Sequence, residues 1–262
     1  MKNIIFLGSK SLGEACFDYL LKSLNGDKYK ICCASSNQDS SNVWWHTNSI
    51  YQTITDERPD IDFIPMDERN FEVLSGKITE HEIDMIISVQ YNWIIPDQIL
   101  KMVNYNAINL HNAKLPEYKG FNAVNMHILN DETVYTSTLH WMIEDVDAGE
   151  IAYEREFPIA PNVDATQLYE MALVNAIEMF KEFVEDLNSE GPLPRKEMKG
   201  DSKFYSRKTL QRKVITDTDS LDMVTKKSRA FSFSDFEPAY FEFNGVKYYV
   251  IPETGYNTHE NN

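Results

Sequence analysis

The sequence predicts an α/β protein whose main domain is a doubly wound, Rossmann-like, mostly parallel sheet, followed by a small C-terminal α+β domain. Short apolar runs rich in Ile alternate with stretches of helical periodicity over residues 1–111, which is the pattern of βαβ units. A Gly-Pro-Leu-Pro sequence at 191–194 then ends a long helical pattern. We therefore predict domains at residues 1–190 and 195–262.

Five buried parallel strands are expected in the first domain. They are Lys2–Leu7, Tyr29–Ser35, Asp62–Pro65, Asp84–Val89 and Ala107–His111. Because ligands of such sheets bind beyond the carboxyl ends of the strands, the residues that follow Val89 and Leu110 are candidate site residues. The turn at Gly8–Gly13 lacks the three-glycine pattern of dinucleotide binding. Two interpretations of it stay open, a tight turn or an anion contact through backbone amides.

The rest of the chain continues with longer and more varied elements. The patterns predict helix Phe121–Leu129, strands Tyr135–Ile143 and Glu150–Pro158, helix Ala165–Leu187, helix Ser220–Phe231, and a hairpin of Tyr240–Phe243 with Lys247–Ile251. The hairpin turns at Asn244-Gly245, a pair that favours two-residue β-turns. Its strands are apolar at nearly every position, which indicates a surface that pairs with a second copy of the chain, so we expect a homodimer.

Composition and charge restrict the partners. The chain has 262 residues, is 42% hydrophobic and carries a net charge of −16, which excludes a nucleic-acid-binding face of ordinary size. Residues 195–262 hold 12 Lys and Arg against 10 Asp and Glu, so the other 194 residues carry −18. The basic residues between Arg195 and Arg229 are either a solvated surface or a site for a small phosphorylated ligand.

The cysteines indicate a reduced, cytoplasmic protein. Cys16, Cys32 and Cys33 are an odd count, and neighbouring side chains of a strand point to opposite faces, which prevents Cys32 and Cys33 from pairing. No stretch of the sequence reaches the roughly 20 apolar residues that span a bilayer, and no signal-peptide core precedes the first strand. No histidine pair lies at metal-ligand spacing beside a cysteine, so no metal is expected.

Polar residues concentrate at the end of the fifth predicted strand. Asn109 and His111 are two residues apart, so their side chains share one face of the strand. An amide donor beside an imidazole can stabilise an oxyanion and move a proton. Asp147 follows in a Val-Asp-Ala-Gly turn between two strands. Each of these three residues, taken singly, is common at the end of a strand or in a turn without any catalytic role. Their order and spacing together favour a catalytic group.

This segment resembles the active site of the folate-dependent formyltransferases. That family has an Asn-x-His motif, a Pro-Ser-Leu-Leu-Pro-x-Tyr-Arg-Gly run and a later Asp-Thr-Gly turn. Here the run is Asn-Ala-Lys-Leu-Pro-Glu-Tyr-Lys-Gly at 112–120, and the turn is Asp-Ala-Gly at 147–149. The resemblance covers about residues 2–190 and implies the formyltransferase fold, with Asn109, His111 and Asp147 as the catalytic triad. Asn112-Ala113 and Lys119 depart from the pattern, so this loop does not identify the substrate.

The resemblance also implies N10-formyltetrahydrofolate as the formyl donor. The residues that match the loop whose backbone holds the pterin ring are Val89, Gln90, Tyr91 and Trp93. A neutral amine would attack the formyl carbon while His111 moves a proton. Asn109 and the protonated His111 would hold the oxyanion, and Asp147 would orient the imidazole.

The tail is similar to that of the sugar N-formyltransferases, which act on nucleotide-linked amino sugars made for surface polysaccharide. The similar segments are Arg-Ala-Phe at 229–231, Phe-Glu-Pro-Ala-Tyr at 236–240 and Phe-Tyr-Ser-Arg at 204–207. This implies a substrate such as a dTDP-linked amino-dideoxyhexose, with contacts from Lys10, Tyr205, Arg207, Lys208, Phe231 and Tyr240.

Alternatives to this interpretation stay open. Four aromatic residues of the tail, Phe231, Phe233, Phe236 and Tyr240, suit a small core as well as they suit base stacking. The acceptor amine is alternatively glycinamide ribonucleotide or an aminoacyl-tRNA. A rival from a different class is a non-catalytic module that binds a nucleotide sugar or folate.

Overall fold

The computed structural model describes residues 1–38, 49–66, 71–189, 191–233 and 236–253. The strands are β1 (Lys2–Gly8), β2 (Tyr29–Ser36), β3 (Asp62–Pro65), β4 (Met85–Val89), β5 (Ala107–His111), β6 (Lys119–Gly120), β7 (Val134–Trp141), β8 (Ile151–Pro158), β9 (Phe204–Tyr205), β10 (Ala239–Phe243) and β11 (Val246–Val250). The helices are α1 (Lys10–Ser23), α2 (Ile50–Glu57), α3 (Phe71–Glu80), α4 (Asp97–Met102), α5 (Ala123–Leu129), α6 (Ala165–Asn188) and α7 (Leu221–Ala230), with a 3₁₀ helix at Arg207–Lys213.

The central sheet confirms the predicted, mostly parallel α/β fold. Its seven strands follow the order β3-β2-β1-β4-β5-β7-β8. The first five are parallel, whereas β7 and β8 are antiparallel to their neighbours. The chain order reverses between β1 and β4, which is where doubly wound sheets open a ligand crevice at the carboxyl ends of their strands.

Alternate residues of β1 enter two separate cores. Ile4 and Phe6 pack with α1 and α6 on one face of the sheet. Ile5 and Leu7 pack with α3 and α4 on the other face. A strand that is apolar on both faces is expected in the middle of a parallel sheet. Burying each such side chain stabilises the fold by roughly 1.5–3 kcal/mol of transfer free energy. The sheet is therefore a stable support for the residues at its carboxyl edge.

A β-bulge changes the expected placement of the neighbouring cysteines. Ile4 pairs with Ile31 and Ile5 pairs with Cys33, so Cys32 is skipped in the register of β1 with β2. As a result both thiols join the core cluster beside α3 and α4. The prediction that they face opposite sides is wrong, because the extra residue interrupts the alternation of the strand. The prediction of free, buried thiols is confirmed for all three cysteines.

Residues after 190, called the tail here, pack onto residues of the first 190, and the last two strands form a separate small sheet. Ala230, Phe231 and Ala239 are buried in one cluster with Tyr118 and Leu168 of the first 190 residues. Strand β9 pairs with β6 beside the candidate site, a contact that the sequence patterns did not predict. Strands β10 and β11 form the predicted hairpin. Within the described ranges, no helix combines the length and apolar character needed to cross a membrane.

Candidate active site

Asn109 and His111 end β5, as predicted, at the carboxyl edge of the sheet. Strand β7 runs antiparallel beside them, so that Asn109 pairs with His140 and His111 pairs with Thr138. Paired residues of neighbouring strands present their side chains to the same face. The register therefore brings His140 against Asn109, and both His111 and Asn109 remain only partly buried.

Asp147 is carried to these residues by the turn between β7 and β8. A Cβ atom on Gly149 would lie 2.0 Å from the carbonyl oxygen of Trp141, so the turn can pack this closely only with glycine. Asp147 itself has a φ of 50°, in the left-handed region that Asp tolerates better than most residues. Its Oδ2 accepts a hydrogen bond from the amide of Gly120 at 3.0 Å, which fixes the direction of the carboxylate.

The hydrogen bond of His111 to the chain assigns its tautomer. Its Nε2 lies 2.8 Å from the carbonyl oxygen of Tyr118, which can only accept, so Nε2 carries a hydrogen. In the neutral ring Nδ1 then has a free lone pair. Asp147 Oδ1 is 3.7 Å from Nδ1, too far for a hydrogen bond but close enough to stabilise a proton that arrives there. The ring is thus arranged to receive a proton at Nδ1.

His140 is a site residue that the sequence patterns missed. Its Nδ1 lies 3.0 Å from the carbonyl oxygen of Trp141, so Nδ1 donates and Nε2 accepts from the Asn109 amide at 3.2 Å. The Nε2 atom is also 3.8 Å from Asp147 Oδ1. Burial lowers the pKa of His140 well below the usual histidine value, which keeps the ring neutral and able to accept. A histidine inside a strand gives no signal by itself; only its register opposite Asn109 reveals it.

These four side chains form one connected group. Asn109 donates one amide hydrogen to His140, and its second amide hydrogen can be donated to another acceptor. His111 offers a proton acceptor, and Asp147 supplies the neighbouring negative charge. An amide donor next to a proton acceptor is suited to the attack of an amine on a carbonyl group, where an oxyanion forms and a proton leaves.

The predicted cofactor loop follows β4 at the same edge of the sheet. Val89 ends the strand and is fully buried, and Gln90 has a φ of 55°. The Gln90 Oε1 atom is buried and has no hydrogen-bond partner among the described residues. In contrast to Gln90 Oε1, the ring N–H of Trp93 has a partner, because it donates to the carbonyl of Met66 at 2.9 Å. Burial raises the pKa of the partly buried Tyr91.

Two of the predicted substrate residues, Lys10 and Arg207, lie near each other. Lys10 is exposed as a residue, yet partial burial of its ammonium, and then the charge of Arg207, lower its pKa. The Arg207 guanidinium is 4.9 Å from the centre of the Phe121 ring. Within the ranges that the structure describes, neither cation forms an ion pair with a carboxylate. Two close cations without a counter-charge favour an anionic ligand.

The other predicted contacts have different surroundings. The Tyr205 ring stacks on Tyr118 with centroids 5.4 Å apart, and Lys208 is exposed. The ammonium of Lys247 lies 4.2 Å from the centre of the Tyr240 ring. Phe231 is only 3% exposed, so its ring does not present a face to a ligand. This burial favours the alternative in which Phe231 belongs to the core beneath the tail.

Comparison with known proteins finds a family model, curated relatives and solved structures that match the chain. The family model described as formyl transferase matches residues 2–184. A GDP-perosamine N-formyltransferase of Brucella melitensis biotype 1 is 30% identical over 167 residues, which are 64% of this chain and 64% of that protein. The alignment thus spans less than two thirds of the relative's length.

Solved structures share the fold across most of the chain. A 4-N formyltransferase from Francisella tularensis matches with a TM-score of 0.77 at 18% identity, covering 96% of this chain and 97% of the other. A sugar N-formyltransferase from a Shewanella species gives 0.76 at 18% identity, with the same coverages of 96% and 97%. The N-formyltransferase from Helicobacter canadensis in complex with folinic acid and dTDP-3-aminofucose gives 0.70 at 20% identity, covering 94% and 86%.

Proposed function

Because the chain belongs to the formyl transferase family, we propose that it transfers a formyl group from N10-formyltetrahydrofolate to the amine of a nucleotide-linked amino sugar. The observation that carries this proposal is the group of Asn109, His111 and Asp147 at the carboxyl edge of the sheet. A module that only binds its ligand has no need of a free imidazole nitrogen beside a carboxylate.

In the proposed mechanism the protein moves one proton and stabilises one negative charge. His111 Nδ1 receives the proton that the attacking amine must lose, and Asp147 at 3.7 Å stabilises the resulting imidazolium. The second amide hydrogen of Asn109 donates to the carbonyl oxygen as its charge develops. The buried, neutral ring of His140 holds the Asn109 amide in place. His111 can then return its proton to the departing nitrogen.

The loop after β4 suits the folate. When bound, the folate supplies the formyl group. The orphaned Gln90 Oε1 is a buried acceptor that the N–H groups of a pterin ring would satisfy. Tyr91 and Trp93 would lie beside the ring, with Trp93 already anchored to Met66. An unpaired buried acceptor costs about 1–3 kcal/mol, so binding that pairs it gains affinity.

The acceptor is proposed to be a nucleotide sugar because of Lys10 and Arg207. A pyrophosphate between these two cations would supply the counter-charge that the described residues lack. We propose a dTDP-linked amino-dideoxyhexose made for surface polysaccharide in the cytoplasm. A GDP-linked sugar is the second candidate, because the Brucella relative is named for GDP-perosamine.

Mass spectrometry of the products tests this function. The chain and N10-formyltetrahydrofolate are incubated with dTDP-, UDP- and GDP-linked amino sugars, glycinamide ribonucleotide and an aminoacyl-tRNA. We expect one formyl group to replace one amine hydrogen on a nucleotide sugar. Formylation of either of the other two amines would contradict the proposed substrate, and no formylation of any amine would contradict the activity.

Replacing His140 with Phe is expected to lower kcat by up to about a hundredfold, because the Asn109 amide loses the acceptor that aligns it. KM should change little, since His140 is only 2% exposed. His140→Gln offers an amide oxygen to Asn109 and should restore part of the rate. Steady-state kinetics of both variants measure this. Equal losses in the two variants would contradict the positioning role.

We also propose that the β10–β11 hairpin joins two copies of the chain. One face of the hairpin carries four exposed apolar side chains, which are Phe241 (42% exposed), Phe243 (62%), Val246 (52%) and Tyr248 (45%). A patch of this kind on a soluble protein marks an interaction surface. Its position at an exposed two-stranded sheet permits a symmetric contact.

Light scattering at micromolar concentration should therefore give the mass of a dimer. Phe243→Lys is expected to shift the population to monomer, because a charge within an apolar contact is costly to bury. Leu221→Lys is the matched control, since Leu221 is 87% exposed outside the hairpin. A monomeric mass for the unaltered chain would contradict the proposed interface.

A further inference from the structure

A second cluster of reactive side chains lies near the amino ends of β1 and β3, away from the edge that carries His111. Cys33 is in β2, and Asp62, the first residue of β3, is its register partner. His81 directly follows α3, and its carbonyl oxygen is bound by the side chain of Asn3. The thiol sulfur, a carboxylate oxygen and an imidazole nitrogen of Cys33, Asp62 and His81 lie within 4.8 Å of one another.

The donor set is that of a zinc site. Thiolate, imidazole and carboxylate are the three ligand types that Zn²⁺ prefers, and bond lengths of about 2.0–2.3 Å place tetrahedral ligand atoms roughly 3.5 Å apart. His81 Nε2 and Asp62 Oδ2 are already 2.9 Å apart. Cys33 is fully buried, whereas the side chains of Asp62 and His81 are 40% and 25% exposed. The two outer ligands therefore have room to adjust by the small distance that a metal requires.

The same position already holds a positive charge from the protein. The Lys77 ammonium is 2.5 Å from Asp62 Oδ2 and 2.8 Å from Glu80 Oε2. It thus shares the carboxylate oxygen that accepts from His81. A divalent cation would compete with this ammonium for Asp62, while Lys77 could retain its contact with Glu80. The carboxylates around this position suit a cation. A metal ion must bind Asp62 more strongly than the Lys77 ammonium does in order to displace it.

We propose that Cys33, Asp62 and His81 bind Zn²⁺ in a site that ties the end of α3 to β2 and to the edge strand β3. The metal accepts the lone pair of His81 and the ionised carboxylate of Asp62. The Cys33 thiol loses its proton to solvent as the sulfur–metal bond forms, so one proton is released and nothing is oxidised or reduced. Water on the exposed side completes the coordination.

The site would have a structural effect distinct from the formyl transfer. Strand β3 is at the edge of the sheet and has four residues, so it is held by few backbone hydrogen bonds. A ligand that binds only the folded chain stabilises it in proportion to the logarithm of its concentration. Metal at this site is therefore expected to raise the melting temperature while leaving the geometry around His111 unchanged.

Cobalt replaces zinc as a coloured probe in the test. The untagged 262-residue chain is stripped of metal with a chelator and titrated with Co²⁺ under reducing conditions, then with Zn²⁺. We expect a thiolate-to-cobalt charge-transfer band and the visible spectrum of a four-coordinate ion, both abolished by excess Zn²⁺. Cys33→Ser should remove the charge-transfer band, and Cys32→Ser, the matched control at an equally buried neighbouring thiol, should retain it.

Two further variants keep the proposal testable if Cys33→Ser does not fold. His81→Gln, at a partly exposed position, should weaken Zn²⁺ at least about a hundredfold, because even the loss of an outer-shell partner costs roughly 10- to 100-fold. Lys77→Gln should strengthen binding by removing the competing ammonium. The proposal is overturned if the unaltered chain shows no charge-transfer band, or if Zn²⁺ binds His81→Gln as tightly as the unaltered chain.

Discussion

His111→Asn and Asp147→Asn are each expected to lower kcat by about a thousandfold, within the 10²–10⁴ range typical of lost general acid–base catalysis. In His111→Asn the acceptor at Nδ1 disappears, and no other described side chain contacting Asn109 or Asp147 can take its place at neutral pH, because His140 is buried and engaged. In Asp147→Asn the imidazolium loses the charge that lies 3.7 Å from Nδ1.

Substrate binding should change little in both variants, because Lys10 and Arg207 lie outside this group. Isothermal calorimetry with the nucleotide sugar measures the affinity, and single-turnover kinetics measure the chemical step. Asp145→Asn is the matched control: it is an exposed carboxylate in the same turn, and we expect its rate to stay near that of the unaltered chain. If both variants lost nucleotide-sugar affinity in step with activity, the division between catalytic and binding residues would be wrong.

Local patterns predicted the elements of the sheet and the two ends of the catalytic group. The apolar runs of β1, β2, β4 and β5 are buried on both faces, so their apolar composition distinguishes them from amphipathic helices. The edge strand β3 buries only Ile64. Asn109 and His111 stood out because two polar residues end an apolar strand. Asp147 stood out because its Asp-Ala-Gly turn follows Asn109 and His111 in the order and spacing of the formyltransferase motifs.

Non-local contacts were beyond the reach of these patterns. His140 acquires its role only through the register of β5 with β7, since the Asn109 and His140 positions are 31 apart in sequence. The bulge that skips Cys32 likewise depends on the pairing of two strands. The cluster of Cys33, Asp62 and His81 lacks the short spacing of a metal motif, because three separate elements bring its ligands together. The prediction that the chain binds no metal was based only on the spacing of histidines and cysteines along the sequence.

Replacing Phe231 with Ala is expected to destabilise the fold by about 3–5 kcal/mol, the usual cost of removing a buried Phe ring. Phe231 is 3% exposed and shares a core cluster with Tyr118 and Leu168, so its loss leaves a cavity where the tail meets the first 190 residues. Phe233 has a similar though weaker role, with its ring 5.2 Å from Tyr169 in an edge-on contact. These two rings hold the tail in place.

Of the four candidate tail rings, Phe236 and Tyr240 remain available for a nucleobase. Phe236 is 65% exposed, and its ring contacts Phe233 at a centroid distance of 5.5 Å. Tyr240 is partly buried beside Lys247. Stacking on a base is worth about 1–3 kcal/mol, so removing the ring that stacks should weaken nucleotide-sugar binding roughly ten- to a hundredfold. Folate affinity should stay constant, because Gln90 lies at the end of β4.

Melting temperature and nucleotide-sugar affinity, measured for Ala variants of Phe231, Phe233, Phe236 and Tyr240, separate the two roles. We expect Phe231→Ala to melt early, with an affinity per folded molecule close to that of the unaltered chain. Phe236→Ala or Tyr240→Ala should instead keep its melting temperature and lose affinity for the nucleotide sugar alone. If all four variants melted early without a selective loss of affinity, the tail would be a structural element. Nucleotide recognition would then depend on Lys10, Arg207 and the loop at 112–122.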